Sequence, residues 1–492
     1  MASRVHSEGN VRTGGLGPPF RVVDMPEPPP LSRRAILAII GPSVIALGGS
    51  IGSGEWLIGP SVFVKWGLGL LWITTVSATL QTFLNLEMAR YTLYTGEPVT
   101  VGFMRLAPGP RFWSIFMSVV GILERGLPGW ALASATALAA IQLGRIPGAG
   151  DKGTVIVYGY IVFLLCVALT SVGRAVERTL EIANWFMCGV ILLTLLILDI
   201  LFVPASTWAE GLAGFLRFGY IPRGVDLLML GALVGYSAYG GFGNNAITNW
   251  YRDKGFGMGK IVGYIPAAVG GKMVKVSPVG AVAAPTSDNV SRWKQWLRVL
   301  SIDQWAIFWL GGMLGMFFPS LLAVGLIPRG TSLPQWGVAA YQGETFSKLM
   351  GSAGWVLALL IGFWVLFSTA LSNVDLVCRQ VTDMLWWGSD RVRKWAKEDI
   401  RRVYYALLIV FVIWGTMYMR ITVPLVLLAI SANIANLTMT LSAILTIYLN
   451  RKFLPKEFRP PLWREVMLGA NALFFGLFFT VFILSQFFGL KF

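Results

Sequence analysis

Two glycine-rich stretches place polar side chains in the middle of long apolar segments. The first, GGSIGSGEW at residues 48–56, contains GSGE at 52–55, and the second, GYSAYGGFGNNAITNW at residues 235–250, contains GFGN at 241–244. A helix that unwinds inside a bilayer frees backbone N–H and C=O groups that hydrocarbon cannot satisfy. Two such breaks predict a mid-membrane binding site for a substrate, an ion or water. The alternative is that the glycines only allow close helix packing.

Charged residues occur at two further places within apolar stretches. Glu124 and Arg125 are adjacent in GILERGLPGW. Because adjacent side chains of a helix point about 100° apart, these two are predicted not to pair with each other. Asp375 and Arg379 lie four residues apart, the spacing of an intrahelical ion pair. We expect this second pair to be structural.

The elements that position these residues are membrane-spanning helices. The 492-residue chain is 55% hydrophobic and 13% charged, whereas soluble proteins are about 25% charged. Apolar runs long enough to cross a bilayer recur along almost the whole chain. The sequence therefore predicts an all-α polytopic membrane protein. Eleven spans are predicted, at 34–66, 68–95, 112–141, 153–172, 180–203, 225–250, 303–327, 353–387, 402–419, 422–449 and 466–489.

Lys and Arg residues are distributed unevenly between the two sides of the predicted spans. The side of the N-terminus holds 30 of the 40, and the opposite side holds nine. This pattern predicts a plasma (cell inner) membrane protein with a cytoplasmic N-terminus, so the net charge of +16 does not indicate nucleic-acid binding. The predicted organisation is a disordered cytoplasmic tail (1–33), a first five-helix repeat (34–203), a second repeat (225–449) and an eleventh helix with the C-terminus (450–492). The second repeat includes a long cytoplasmic connector (251–302), within which SRWKQWLRVLSIDQW has the composition of an interfacial helix.

The first two spans resemble the Nramp (natural resistance-associated macrophage protein) family of divalent-metal transporters. The resemblance begins with GPSVIALGGSIGSGEW and GLGLLWITTVSATLQTFLNLEMARYTLYTG and covers most of the chain. It implies a LeuT-like inverted repeat of five plus five helices, with helices 1 and 6 broken, and metal uptake coupled to protons. Breaks five spans apart point to the same repeat. The metal motifs of the family are replaced here: Gly-Ser-Gly-Glu stands at 52–55 instead of Asp-Pro-Gly-Asn, and Tyr-Gly-Gly at 239–241 instead of Met-Pro-His.

The replaced motifs imply a rebuilt site with oxygen ligands. Glu55 takes the role of the lost aspartate, with Asn244 and Asn245 as further metal ligands. Without the methionine and histidine, such a site favours Mg²⁺ or Mn²⁺ over softer ions. Alternatively, Glu55 pairs with a basic side chain or faces a vestibule. The complete predicted substrate site comprises Gly52, Ser53, Gly54, Glu55, Tyr239, Gly240, Gly241, Asn244 and Asn245. By the same resemblance, Glu124 and Arg125 form a proton path, or else a structural charge network.

A rival interpretation rests on SIGSGEWLIGP, which is similar to the IGSGIFxLP of amino acid–polyamine transporters. In those proteins, amides of the unwound helix hold a substrate carboxylate at a positive helix end. A glutamate beside these amides would repel such a substrate. A channel and a transport-inactive sensor of the same fold also stay open.

An enzyme is not expected. The one histidine, His6, lies in the tail, and the sequence has no Walker motif and no Cys/His cluster. The three cysteines are expected to be small core residues. No cofactor and no nucleic-acid partner is predicted. The expected partners are the transported divalent cation and the lipid bilayer.

Overall fold

The computed structural model describes residues 13–30, 32, 41–126, 129–171, 176–265, 276–332, 340–341, 343–420 and 424–489. Helices lie at all eleven predicted spans, with limits close to those expected. They are Pro42–Gly52, Ser53–Ile58 and Gly59–Trp66 (span 1), Trp72–Thr95 (span 2), Pro110–Arg125 and Gly129–Leu143 (span 3), Lys152–Thr170 (span 4), Val176–Phe202 (span 5), Leu227–Tyr236 and Phe242–Asp253 (spans 6a and 6b), Ser287–Ile302, Asp303–Trp309 and Leu310–Leu326 (span 7), Gly343–Gly388 (span 8), Ile400–Tyr418 (span 9), Pro424–Phe453 (span 10) and Leu462–Phe488 (span 11).

Short elements occupy the connections between spans. They are the helices Val99–Met104, Ala205–Gly214, Gly259–Val262 and Asp390–Trp395, the 3₁₀ turns Leu68–Leu71, Ala149–Asp151 and Lys456–Phe458, and the strands β1 (Arg21–Val22) and β2 (Ala281–Val282). The two strands pair in parallel.

Eight helices in the described part of the chain, those of spans 3–5 and 7–11, are long and apolar enough to cross a membrane. Span 2 is long but carries many buried polar side chains, and span 6 is divided into two short helices. Spans 1 and 2 both pack against span 6. The least apolar helices therefore meet one another, where their polar groups find partners within the protein. The cysteines Cys166, Cys188 and Cys378 are unpaired and buried in the apolar core.

Span 6 is broken as predicted, but span 1 is not. Residues 237–241 separate 6a from 6b, and φ is positive at Ala238 (84°), Gly240 (95°) and Gly241 (53°). Span 1 stays helical through its glycines and widens into a π-helical turn over Ser53–Ile58, with Gly52 and Gly59 in the right-handed helical region. In a π turn each hydrogen bond spans five residues instead of four, so the helix is wider but its backbone groups still bond within it.

The glycines of span 1 serve close packing, which was the alternative interpretation of the sequence. A Cβ on Gly54 would overlap the carbonyl oxygen of Tyr236, and one on Gly49 would lie 2.5 Å from the ring of Tyr239. A Cβ on Gly52 would lie 2.7 Å from the carbonyl oxygen of Val365 in span 8. Because other helices press against each of these positions, glycine is required there for its size and not for an unwound backbone.

Residues 13–30 depart from the predicted disordered tail. The backbone N–H groups of Arg21 and Val23 donate to the carbonyls of Gly280 (3.2 Å) and Val282 (2.9 Å), and the amide N–H of Met25 donates to the side chain of Asn289 (3.0 Å). These partners lie more than 250 residues away, so the local composition of the tail could not reveal them. Residues 1–12, 31 and 33 of the predicted tail lie outside the described part of the chain.

The predicted connector also ends earlier than residue 302. The stretch predicted to be an interfacial helix is the helix Ser287–Ile302, which continues directly into Asp303–Trp309 and Leu310–Leu326. Its Trp293 and Trp296 are buried against the protein. Burial against neighbouring helices explains the mixture of tryptophan and basic residues that the sequence pattern assigned to a membrane surface.

Candidate functional site

The unwound segment 237–241 lies directly against the π turn of span 1. The backbone N–H of Ala238 donates to Oε1 of Glu55 at 3.1 Å. Glu55 is fully buried, and its second oxygen, Oε2, has no hydrogen-bond partner. The structure thus brings Glu55 to the break in span 6, as predicted. Ser53 also belongs to the predicted substrate site, but its side chain is not among those that the structure describes.

Gln81 of span 2 satisfies most of the freed backbone of this segment. Its side-chain Oε1 accepts the N–H groups of Tyr239 (3.2 Å) and Gly240 (2.9 Å), and its Nε2 donates to the carbonyl of Ser237 at 2.5 Å. Gln81 is fully buried. Without Gln81, the buried N–H groups of Tyr239 and Gly240 would lose their acceptor, at a cost of about 1–3 kcal/mol each; the carbonyl of Ser237 also accepts from the hydroxyl of Ser77 at 3.3 Å.

Glu124 and Arg125 of span 3 bind three further backbone groups at the break. The Nη2 of Arg125 donates to the carbonyls of Tyr239 (2.8 Å) and Gly240 (2.7 Å). The carboxylate of Glu124 accepts the N–H of Phe242 at 2.8 and 3.0 Å, at the N-terminus of 6b, where a negative charge is favourable. Side chains of the protein itself therefore bind most of the freed groups that the sequence assigned to a ligand.

The prediction that Glu124 and Arg125 would not pair is wrong. The Nε of Arg125 donates to Oε1 of Glu124 at 3.0 Å, and both side chains are fully buried. The angle between adjacent side chains is a property of the Cα–Cβ directions. These two long side chains turn toward the same break in span 6 and meet at their ends.

The predicted amide ligands make hydrogen bonds to groups other than Glu55. Asn244 donates to Asn85 (2.9 Å) and Gln81 (3.2 Å) of span 2, and Asn245 accepts from the hydroxyl of Ser442 in span 10 (3.0 Å). Two oxygens of the predicted site besides Oε2 of Glu55 have no partner, namely Oδ1 of Asn244 and the hydroxyl of Tyr239. No group of three or more His, Cys, Asp or Glu residues that could hold a metal occurs among the described residues.

Sequence reasoning missed Gln81 and Thr438. Thr438 of span 10 donates to Oε2 of Glu124 at 2.6 Å. A signal for Gln81 was present, because Gln81 and Asn85 lie four residues apart in span 2. Two amides on one face of a membrane helix indicate a buried polar partner. Thr438 has no comparable signal, since threonine is common in membrane helices.

A second polar cluster surrounds Asp303 of span 7. Asp303, the first residue of the π turn in span 7, accepts from the N–H of Gly41 (3.0 Å), the hydroxyl of Ser43 (2.6 Å) and the hydroxyl of Tyr251 (2.5 Å). It therefore joins spans 1, 6b and 7 through fully buried hydrogen bonds.

Buried ion pairs tie 6b to span 8. Arg379 pairs with Asp375 at 2.7 Å, which confirms the predicted i,i+4 pair, and also with Asp253 of 6b. Arg252 pairs with Asp383 at 2.5 Å. With these contacts formed, Glu55 has no solvent-exposed surface in this conformation.

Solved structures with a similar fold include the manganese transporter of Eremococcus coleocola. Its complex with an aromatic bis-isothiourea substituted compound has a TM-score of 0.59 at 16% identity, covering 98% of this chain and 92% of that one. A glutamate-to-alanine variant has a TM-score of 0.60 at 15% identity with the same coverage. No family model and no curated protein matches the sequence.

At this identity the likeness shows the fold alone. It confirms the LeuT-like architecture predicted from the sequence and, at the level of fold, the expected relationship to an Nramp-type transporter. Together with the apolar helices, it shows a multi-pass membrane protein. The similar structures named above are those of a transporter and not of an enzyme.

Proposed function

We propose that this protein is a secondary active transporter that carries a divalent cation, Mg²⁺ or Mn²⁺ in preference to softer ions, across the plasma membrane by alternating access. The observation that most directly supports this is the carboxylate of Glu55. It is fully buried beside the break in span 6 and keeps one oxygen without a partner. An enclosed carboxylate is costly unless a cation or hydrogen bonds compensate it.

The balance of charge at the break also supports a cation. Arg125 offsets Glu124 by direct pairing, so Glu55 adds one further negative charge to the same unwound segment. The unpartnered hydroxyl of Tyr239 and amide oxygen of Asn244 are hard donors of the kind that Mg²⁺ and Mn²⁺ prefer. With a single carboxylate, the site suits an ion that retains some of its water.

Two observations disfavour an organic anion at the same place. Span 1 stays helical over Ser53–Ile58, so its amides are not freed as the comparison with amino acid–polyamine transporters required. The first amide of 6b, that of Phe242, is already bound by Glu124. A substrate carboxylate would have to displace a carboxylate that belongs to the chain.

Proton coupling is part of the proposal, with Glu55 as the coupled group. Both oxygens of Glu124 already accept hydrogen bonds, from Arg125, Phe242 and Thr438, whereas Glu55 has a free oxygen that a proton and a metal ion would compete for. The proton path through Glu124 and Arg125 stays a prediction, which Glu124→Gln tests: loss of proton-driven uptake would support it.

Transport in proteoliposomes tests the proposal. We expect uptake of Mg²⁺ or Mn²⁺, stimulated by an inward proton gradient, and loss of that uptake in Glu55→Gln. The matched control is Glu210→Gln, which removes a partly exposed carboxylate that pairs with Arg329 outside the spans. Amino acid uptake that survives Glu55→Gln would favour the rival substrate class. Absence of flux for all of these solutes from folded protein would contradict transport.

A further inference from the structure

The unwound segment of span 6 holds a positive charge that the chain itself supplies. The guanidinium of Arg125 donates from one nitrogen to the carbonyls of Tyr239 and Gly240 and from another to the carboxylate of Glu124. A third nitrogen lies 3.4 Å from the amide oxygen of Asn373 in span 8. Every one of these partners is an oxygen atom.

Aromatic faces complete the enclosure of this charge. The guanidinium carbon lies 4.4 Å from the ring centre of Tyr236 and 5.1 Å from that of Tyr239. Carbonyl oxygens, a carboxylate and the faces of aromatic rings are the groups that hold a desolvated cation in proteins. Arg125 itself has no exposed surface.

We propose that Arg125 is a tethered cation, which occupies a cation-binding half-site at the break in span 6 in place of a free ion and thereby determines which cations the neighbouring site accepts. Because Arg125 donates to the carbonyls of Tyr239 and Gly240, these oxygens are not available to bind the cargo cation. A positive charge stands beside the position where cargo would bind, and like charges repel strongly in a medium of low dielectric constant. The cargo cation is thus left with the carboxylate of Glu55 and the side-chain oxygens of Tyr239 and Asn244, and it is held weakly; this last step rests on the proposed transport function.

Chemical rescue tests the tethered cation without reference to transport. Arg125→Ala vacates the half-site and should lower the Tm of purified protein in detergent by several degrees. Guanidinium ion at millimolar concentration, far below denaturing levels, should restore a large part of that loss, and urea at the same concentration should not. Arg111→Ala, at an exposed position of the same helix, is the matched control and should show no rescue. Folded Arg125→Ala that guanidinium does not stabilise would overturn the proposal.

A second pair of variants covers the case in which Arg125→Ala does not fold. Lysine and methionine both approach the length of arginine, but only lysine retains the charge. A tethered cation predicts that Arg125→Lys has the higher Tm of the two. If the arginine acted only by filling space, Arg125→Met would be at least as stable, and that result would sink the proposal.

Binding of Mn²⁺ separates this proposal from the proposed function. By removing the neighbouring positive charge, Arg125→Met should raise the affinity for Mn²⁺ by about tenfold or more, measured by titration calorimetry, and Glu55→Gln should remove the binding. Rescue by guanidinium without Mn²⁺ binding to any variant would leave the tethered cation standing and count against divalent-cation transport. Mn²⁺ transport with no guanidinium rescue, and with equal Tm values of Arg125→Lys and Arg125→Met, would support divalent-cation transport and contradict the tethered cation.

Discussion

Gln81 is the residue on which the geometry of the break most depends. One side chain accepts two backbone N–H groups and donates to one carbonyl of residues 237–240. No other residue type of that length offers both an acceptor and a donor in one planar group. The side-chain amide of Gln81 therefore stabilises the unwound conformation of the segment between 6a and 6b.

Replacing Gln81 by leucine should destabilise the protein by about 2 kcal/mol or more, because the buried N–H groups of Tyr239 and Gly240 lose their acceptor. The measurement is thermal unfolding in detergent. Gln142→Leu, at an exposed position near the end of span 3, is the control and should change stability by less than about 0.5 kcal/mol. Equal effects of the two substitutions would contradict the role assigned to Gln81.

Part of the geometry around the break follows from the sequence. Glu55 lies at the break in span 6, because a carboxylate next to a glycine-rich turn in an apolar segment can be buried only against a polar partner. The direction of Asn245 could not be predicted, because it depends on how far 6b is rotated relative to span 10. The reach of Arg125 across to span 6 likewise depends on side-chain conformation, which no sequence spacing records.

At the scale of elements, the two glycine-rich spans differ in kind, since span 6 is broken and span 1 is continuous. Glycines in span 6 adopt positive φ angles, which residues with a Cβ avoid. Glycines in span 1 have ordinary helical angles and lie against neighbouring helices. The sequence pattern glycine–any residue–glycine is the same in both, so the pattern alone could not distinguish unwinding from close packing.

Gly54→Ala tests the packing role. The added methyl would overlap the carbonyl oxygen of Tyr236, so either 6a or span 1 must shift, at a cost of about 1–3 kcal/mol. Gly189→Ala is the matched control, because a Cβ at this mid-helix glycine of span 5 meets nothing within 4 Å. Its stability should be unchanged or slightly higher, since alanine is the better helix former. The measurement is thermal unfolding of the two variants. Equal Tm values for Gly54→Ala and Gly189→Ala would contradict the packing role of Gly54.

The ion pairs between 6b and span 8 also act at this scale. Arg379→Met leaves Asp253 and Asp375 without their shared cation and should destabilise the protein by about 3–5 kcal/mol. The loss is measured by thermal unfolding. Arg393→Met, on the short helix Asp390–Trp395 where its partner Asp390 is exposed, is the control and should cost about 1 kcal/mol or less. A small effect of Arg379→Met would show that the network does not hold 6b in place.

For the molecule as a whole, the positions of the helices along the chain were predictable because bilayer thickness fixes the length of an apolar helix. The fold of the N-terminal segment was not, since its hydrogen bonds join residues 21–25 to residues 280–289. Composition predicts whether a segment can form a core of its own. Composition does not show whether distant residues, here 280–289, provide hydrogen-bond partners for the segment.

Docking of the N-terminal segment can be tested by a pair of proline substitutions. Val23→Pro removes the N–H that donates to Val282, whereas Val22→Pro changes the neighbouring residue, for whose N–H no such bond is formed between the strands. Hydrogen–deuterium exchange of peptides covering residues 13–30 should be faster in Val23→Pro than in Val22→Pro. Equal exchange in the two variants would contradict the β1–β2 pairing.

The burial of all three native cysteines bears on how motion in this protein can be followed. A water-soluble maleimide will find no reachable thiol in the unaltered chain, because Cys166, Cys188 and Cys378 have almost no exposed surface. A reporter thiol introduced at an exposed position, as in Lys456→Cys, can then carry a fluorophore or spin label without a cysteine-free background. Distances between two such labels would show the opening of either face directly.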